Sequence, residues 1–101
     1  MHCLTVLYEA PDDPKAFRDY YVSRHLPLAR SLPGLIRFSY AFPEQMGPAT
    51  TPFCIFQAYF ADAQAMGAAL ASDAGVKLAA DVVNYSPKRP ALCNFPVETA
   101  G

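Results

Sequence analysis

Tryptophan is absent from the 101 residues, glycine is limited to five, and basic and acidic side chains nearly cancel, eight against nine. A net charge of -1 supplies no basic stripe for DNA or RNA and no attraction to an anionic membrane, so neither is expected as a partner. The few glycines are scattered, without a phosphate loop or a G-x-S-x-G elbow. Nicotinamide, flavin and nucleoside triphosphate binding through standard motifs therefore has no support. The two histidines are not at metal spacing, and Cys3, Cys54 and Cys93 include no C-x-x-C pair. Neither a disulfide framework nor a zinc site is indicated, and the expectation is a chain with no cofactor and no metal. No apolar run approaches the ~20 residues of a membrane span. The opening MHCLTVLYEAPDD lacks the positive n-region of a signal peptide, which makes a cytoplasmic location the expectation.

What the sequence has is apolar surface, at 52% of residues, and ten prolines that fall mostly between apolar runs. The length suits one domain over 1–101, burying roughly two thirds of its unfolded surface. Cys3 to Tyr8 reads as a strand closed by Ala10-Pro11-Asp12-Asp13-Pro14, with Asp13 as helix N-cap and Pro14 at the first helical position. From Lys15 to Leu32 the apolar period is helical, gathering Phe17, Tyr20, Tyr21, Arg24, His25, Leu28 and Leu32 on one side. Pro27 lies inside that helix and predicts a kink or break, because it removes the bond to the Ser23 carbonyl and clashes with it.

Leu35 to Phe42 alternates as a strand, and Phe53 to Phe60 is a strand apolar on almost every position, the pattern of burial on both faces. Asp62 caps a second, alanine-rich helix that breaks near Ser72-Asp73 and resumes through Val76 to Ala80. Asp81 to Pro90 reads as a loop held by Asx-type turns at Asp81 and Asn84, and Ala91 to Phe95 as a last short strand. The order β-α-β-β-α-β predicts an α+β, ferredoxin-like subunit: an antiparallel sheet with both helices on one face. The other face then needs cover, and a second copy of the chain is the economical one. A homodimer through the open sheet face is the expected partner.

Among the side chains, His25 is the candidate for catalysis. A half-buried imidazole titrates near neutrality and suits proton transfer, although a histidine that merely packs and donates to a carbonyl is the plain alternative. Arg24 is placed beside it as a ligand-orienting group, with snorkelling or pairing to Asp19 or Glu9 as its alternative. Tyr8, Tyr21, Tyr40 and Tyr59 are the ligand-binding candidates, since an apolar cavity with a few hydroxyls suits a small apolar, aromatic or polyketide-like compound. Tyr20 and Tyr85 belong to the same set, and each of the six serves equally as ordinary core. The cysteines read as small buried hydrophobes on three strands.

Taken together, LTVLYEAPDD, then FRDYYVSRHLPLARSLPG with its H-x-P-L...PG signature, and the later DVVNYSP resemble the EthD-like proteins of the dimeric α+β barrel superfamily. The resemblance covers essentially the whole chain. It implies ferredoxin-like subunits pairing sheet to sheet into a barrel, and it places His25 at the family's motif position. The family's namesake is associated with ethyl tert-butyl ether degradation alongside a haem monooxygenase system. Related barrels include lactone isomerases, polyketide cyclases, decarboxylases and cofactor-free monooxygenases. Two functions are thereby implied: a cofactor-free monooxygenase or isomerase/cyclase using His25 as acid-base, or a non-catalytic protein that holds a small molecule for a partner enzyme. A purely structural dimerisation module is the third reading.

Overall fold

A computed structural model describes residues 1–100, in the order β1 (His2–Tyr8), α1 (Pro14–Tyr20), a π-helical turn (Tyr21–His25), α2 (Leu26–Ala29), β2 (Arg37–Ala41), β3 (Cys54–Phe60), α3 (Ala63–Ala71), α4 (Asp73–Asp81), a 3-10 turn (Val82–Asn84) and β4 (Ala91–Pro96). The four strands form one sheet in the order β2-β3-β1-β4, every neighbouring pair antiparallel. With both helical layers packed on one side, this is the expected ferredoxin-like α+β subunit.

Local chemistry sets the helix boundaries. Asp13 Oδ1 accepts the Ala16 amide and Asp62 Oδ1 accepts the Ala65 amide, so each helical layer begins at its own aspartate. Ser72 separates α3 from α4: its hydroxyl donates to the Ala69 carbonyl and accepts the Gly75 amide. Gly75 fits this junction because a Cβ there would run into the Ala69 and Leu70 carbonyls. Gly34 closes the first helical layer with φ of +73°, a left-handed conformation that glycine adopts without a Cβ penalty.

The first layer departs from a plain amphipathic helix at Pro27. The chain does not break; it widens, and the Leu26 amide reaches back to the Tyr21 carbonyl, five residues away. The wider turn precedes a proline that could not complete the α-helical bond to Ser23. Its phase changes which residues face inward. Phe17, Tyr21 and His25, four apart, stay buried and are joined by Leu26, Ala29 and Leu32, while Arg24 turns to solvent. The regular 3.6-residue period put Arg24 on the inner face; the π turn corrects that.

The core lies between sheet and helices, where Leu4, Val6 and Tyr8 of β1 meet Cys54, Phe56, Ala58 and Phe60 of β3 under Phe17, Tyr21, Leu26, Met66 and Leu78. On the opposite face the register lines up three rows across all four strands: Ala41-Ile55-Leu7-Ala91, Ser39-Gln57-Thr5-Cys93 and Arg37-Tyr59-Cys3-Phe95. That face is not continuously apolar, as strand composition alone implied. A polar row divides it, with Gln57 donating to the Thr5 hydroxyl at 3.4 Å and the Arg37 guanidinium 4.0 Å from the Tyr59 ring centroid. Cys93 lies in this row and is exposed, unlike buried Cys3 and Cys54, because β4 is an edge strand. Among the described residues, no helix is long and apolar enough to cross a membrane.

Candidate functional site

The end of α4 supplies what the first helical layer lacks. Asp81 closes α4 and Val82–Asn84 continue as a 3-10 turn, so the segment expected as a loop begins instead as helix. One helical turn projects the Asp81 carboxylate and the Asn84 amide together toward α1. Asp81 Oδ2 accepts from His25 Nδ1 at 2.9 Å, while its Oδ1 accepts from the Tyr20 hydroxyl at 2.7 Å and from Asn84 Nδ2 at 3.0 Å. Three donors converge on one carboxylate. Partial burial works against the ionised form of Asp81, but the bonds from Asn84, Tyr20 and His25 outweigh it and hold its pKa below the usual carboxylate range.

His25 is 4% exposed. Burial pushes its pKa below the ordinary imidazole value, against the opposing pull of Asp81, so the neutral ring dominates at pH 7. An ionised Asp81 accepts and does not donate, which assigns the proton to Nδ1 and leaves a lone pair on Nε2. The bond to Asp81 is the ring's one hydrogen bond among the described residues. Nε2 has no hydrogen-bond partner among the described residues, and the Tyr21 hydroxyl beside the ring is fully buried without one.

Two aromatic rings, themselves in contact with each other, pack against the imidazole. Tyr21 stacks on it at 5.4 Å with 21° between planes, and Tyr85 lies at 4.6 Å, tilted by 57°. Behind them the Tyr8 and Tyr85 hydroxyls share a hydrogen bond of 2.7 Å. Burial pushes the Tyr8 pKa up to about 12 and raises Tyr21 and Tyr85 further. All three stay protonated, as dipoles and hydrogen-bonding groups.

Of the candidates read from sequence, His25, Tyr8 and Tyr21 converge here. Tyr40, on edge strand β2, reaches the margin of the cluster, 6.1 Å and edge-on from Tyr21, and is 43% exposed. Tyr59 lies on the opposite face of the sheet under Arg37. Arg24 points to solvent and forms no ion pair among the described residues; Asp19, its suggested partner, pairs with Lys15. Asp81 and Asn84 were expected only to brace a loop, yet Asp81 holds the histidine and Asn84 holds Asp81. Their signal was the D-x-x-N-Y spacing, one helical turn from acid to amide with Tyr85 next.

Three surface clefts surround this core. One of about 340 Å³ is bordered by Phe17, Tyr20, Asn84 and Tyr85, the outer side of the Asp81 network, together with Asp12 and Asp13. A second, of about 590 Å³, runs along Leu35–Tyr40 beside Arg30. The third, of about 670 Å³, opens at the end of the sheet between residues 7–10, 50–52 and 88–91. His25 borders none of them.

The EthD domain matches residues 11–88, a span that holds both His25 and the Asp81-Asn84-Tyr85 turn. The chain belongs to the EthD family. An uncharacterized 11.0 kDa protein from the thcB-thcC intergenic region of Rhodococcus erythropolis is 34% identical to this EthD protein over 87 residues, covering 85% of this chain and 84% of the relative. The crystal structure of an ethyl tert-butyl ether degradation (EthD) family protein from Bacillus halodurans superposes with a TM-score of 0.87 at 27% identity, covering 97% of this chain and 99% of the other. SnoaB of Streptomyces nogalater, described as a cofactor-independent oxygenase, shares the fold at a TM-score of 0.62 and 15% identity, covering 98% and 92% of the two chains.

Proposed function

We propose that this EthD protein acts as a cytoplasmic homodimer that binds a small apolar, aromatic or polyketide-like compound and performs cofactor-free proton transfer on it. His25 is the base and Asp81 its positioning residue. The observation that carries this reading is the His25-Asp81 pair, in which Nδ1 is committed to the carboxylate and Nε2 keeps a free lone pair. A neutral imidazole oriented by a carboxylate and packed against aromatic rings is suited to remove a phenolic proton or one next to a carbonyl. The resulting anion reacts with dioxygen in an oxygenase, or takes the proton back at another atom in an isomerase or cyclase. The fold shared with SnoaB supports a scaffold of this kind without a cofactor, although fold likeness alone does not choose the reaction. One observation favours a second reading, a ligand-holding accessory protein: His25 borders none of the three clefts described above.

Oxygen uptake and product formation on a panel of hydroxylated aromatics and lactones separate the two. Loss of a positioned general base lowers turnover by about 100-fold or more in His25→Gln, and Asp81→Asn lowers it in the same direction. Turnover unchanged in His25→Gln ends the catalytic assignment, and ligand binding retained without turnover in the wild type supports the accessory reading.

A further inference from the structure

The cleft at the end of the sheet is built differently from the other two. Apolar Ala10, Pro52 and Pro90 and polar Lys88, Arg89, Thr50, Thr51 and Glu9 line it, together with Leu7 and Ala91 from the outer-face row of the proposed dimer. Lys88 Nζ donates to the Ala10 carbonyl at 2.8 Å, which fixes one cation at the mouth and leaves it two further N–H donors. Arg89 forms neither an ion pair nor a side-chain hydrogen bond among the described residues, so its planar, two-pronged donor set is free. Two cations against Glu9 leave the cleft with one surplus positive charge, matched to a monoanion; a dianion would also face the Glu9 carboxylate. Pro52 and Pro90 restrict the backbone of two walls, which limits the ordering cost of binding.

The other clefts lack this combination. Arg30 and Arg37 beside the Leu35–Tyr40 cleft lie over the Phe38 and Tyr59 rings, and the cleft beside Tyr20 carries Asp12 and Asp13 with no cation on its border.

We propose that the cleft between residues 7–10, 50–52 and 88–91 is a binding site for a small organic carboxylate with a flat apolar body, separate from the His25-Asp81 pair. Arg89 takes the carboxylate in its fork, Lys88 adds a second charge, the Thr50 and Thr51 hydroxyls supply polar contacts, and the apolar walls cover the ring.

Benzoate tests this, titrated into the whole protein and followed through backbone amide NMR shifts, with benzamide as the neutral isostere. Saturable benzoate shifts at residues 7–10, 50–52 and 88–91, with weaker benzamide binding, are the expected result. Arg89→Gln weakens benzoate about tenfold, the loss of one charge-assisted contact, whereas Arg30→Gln leaves it unchanged. Both positions are exposed, and unperturbed amide spectra elsewhere establish that the variants fold. Equal affinity for benzamide, shifts centred on other residues, or full affinity in Arg89→Gln each overturn the proposal.

Discussion

At the scale of single residues, the carboxylate of Asp81 decides the chemistry of His25, because it selects the tautomer and leaves the Nε2 lone pair free as an acceptor. The two groups also predict how stability depends on pH. The folded-state pKa of His25 is depressed, so the unfolded chain binds its proton more readily. The associated stability is present above the ordinary imidazole value of about 6.5 and is lost as pH falls below it. Asp81, also depressed, adds a second loss as pH falls below the ordinary carboxylate value of about 3.9. Thermal unfolding midpoints should therefore decline from about pH 6.5 downward, and the first part of that decline should be missing in His25→Gln. An unchanged profile in that variant removes His25 as its origin. Sequence made His25 legible as a histidine two residues before an unexpected proline. Asp81 was legible only as the acid of a D-x-x-N-Y spacing, and that spacing does not report its pairing with a histidine 56 positions away.

At the scale of elements, boundaries were readable wherever side chains cap backbone groups. Asp13, Pro14, Asp62 and Ser72 all stand where the helices start or break, since capping is local chemistry. The interior of the first layer was less readable. A single period of 3.6 residues could not anticipate a π turn, so Pro27 announced an irregularity but not its form, and the turn kept His25 in the core while expelling Arg24. The junction of α3 and α4 gives this scale its prediction. A methyl at Gly75 would overlap the backbone carbonyls of Ala69 and Leu70, and backbone yields less readily than a flexible side chain. Gly75→Ala should destabilise the protein by about 1–3 kcal/mol, measured by urea unfolding. Unchanged or increased stability would show that the junction opens without cost.

At the scale of the whole molecule, the order of strands and helices was enough to assign the sheet and its covered face, whereas the composition of the outer face emerged only with the register. β3 reads as apolar throughout because Ile55 and Tyr59 flank Gln57, yet pairing aligns Gln57 with Thr5 and Ser39 into a polar row. The proposed homodimer uses this face. Ile55→Asp places a charge in its apolar row and should convert the protein to a monomer in sedimentation velocity; a persistent dimer would move the interface elsewhere. The three unlike rows also bear on which copy a subunit accepts. A uniformly greasy sheet would stick to any other greasy sheet, in any offset. Here a displacement along the strands by one row sets hydrocarbon against amide and hydroxyl, and an unrelated sheet would have to reproduce the same sequence of rows. In the proposed homodimer, the order of these stripes favours a second copy of the chain over an unrelated sheet, and would keep pairings apart in a cell holding several proteins of this fold.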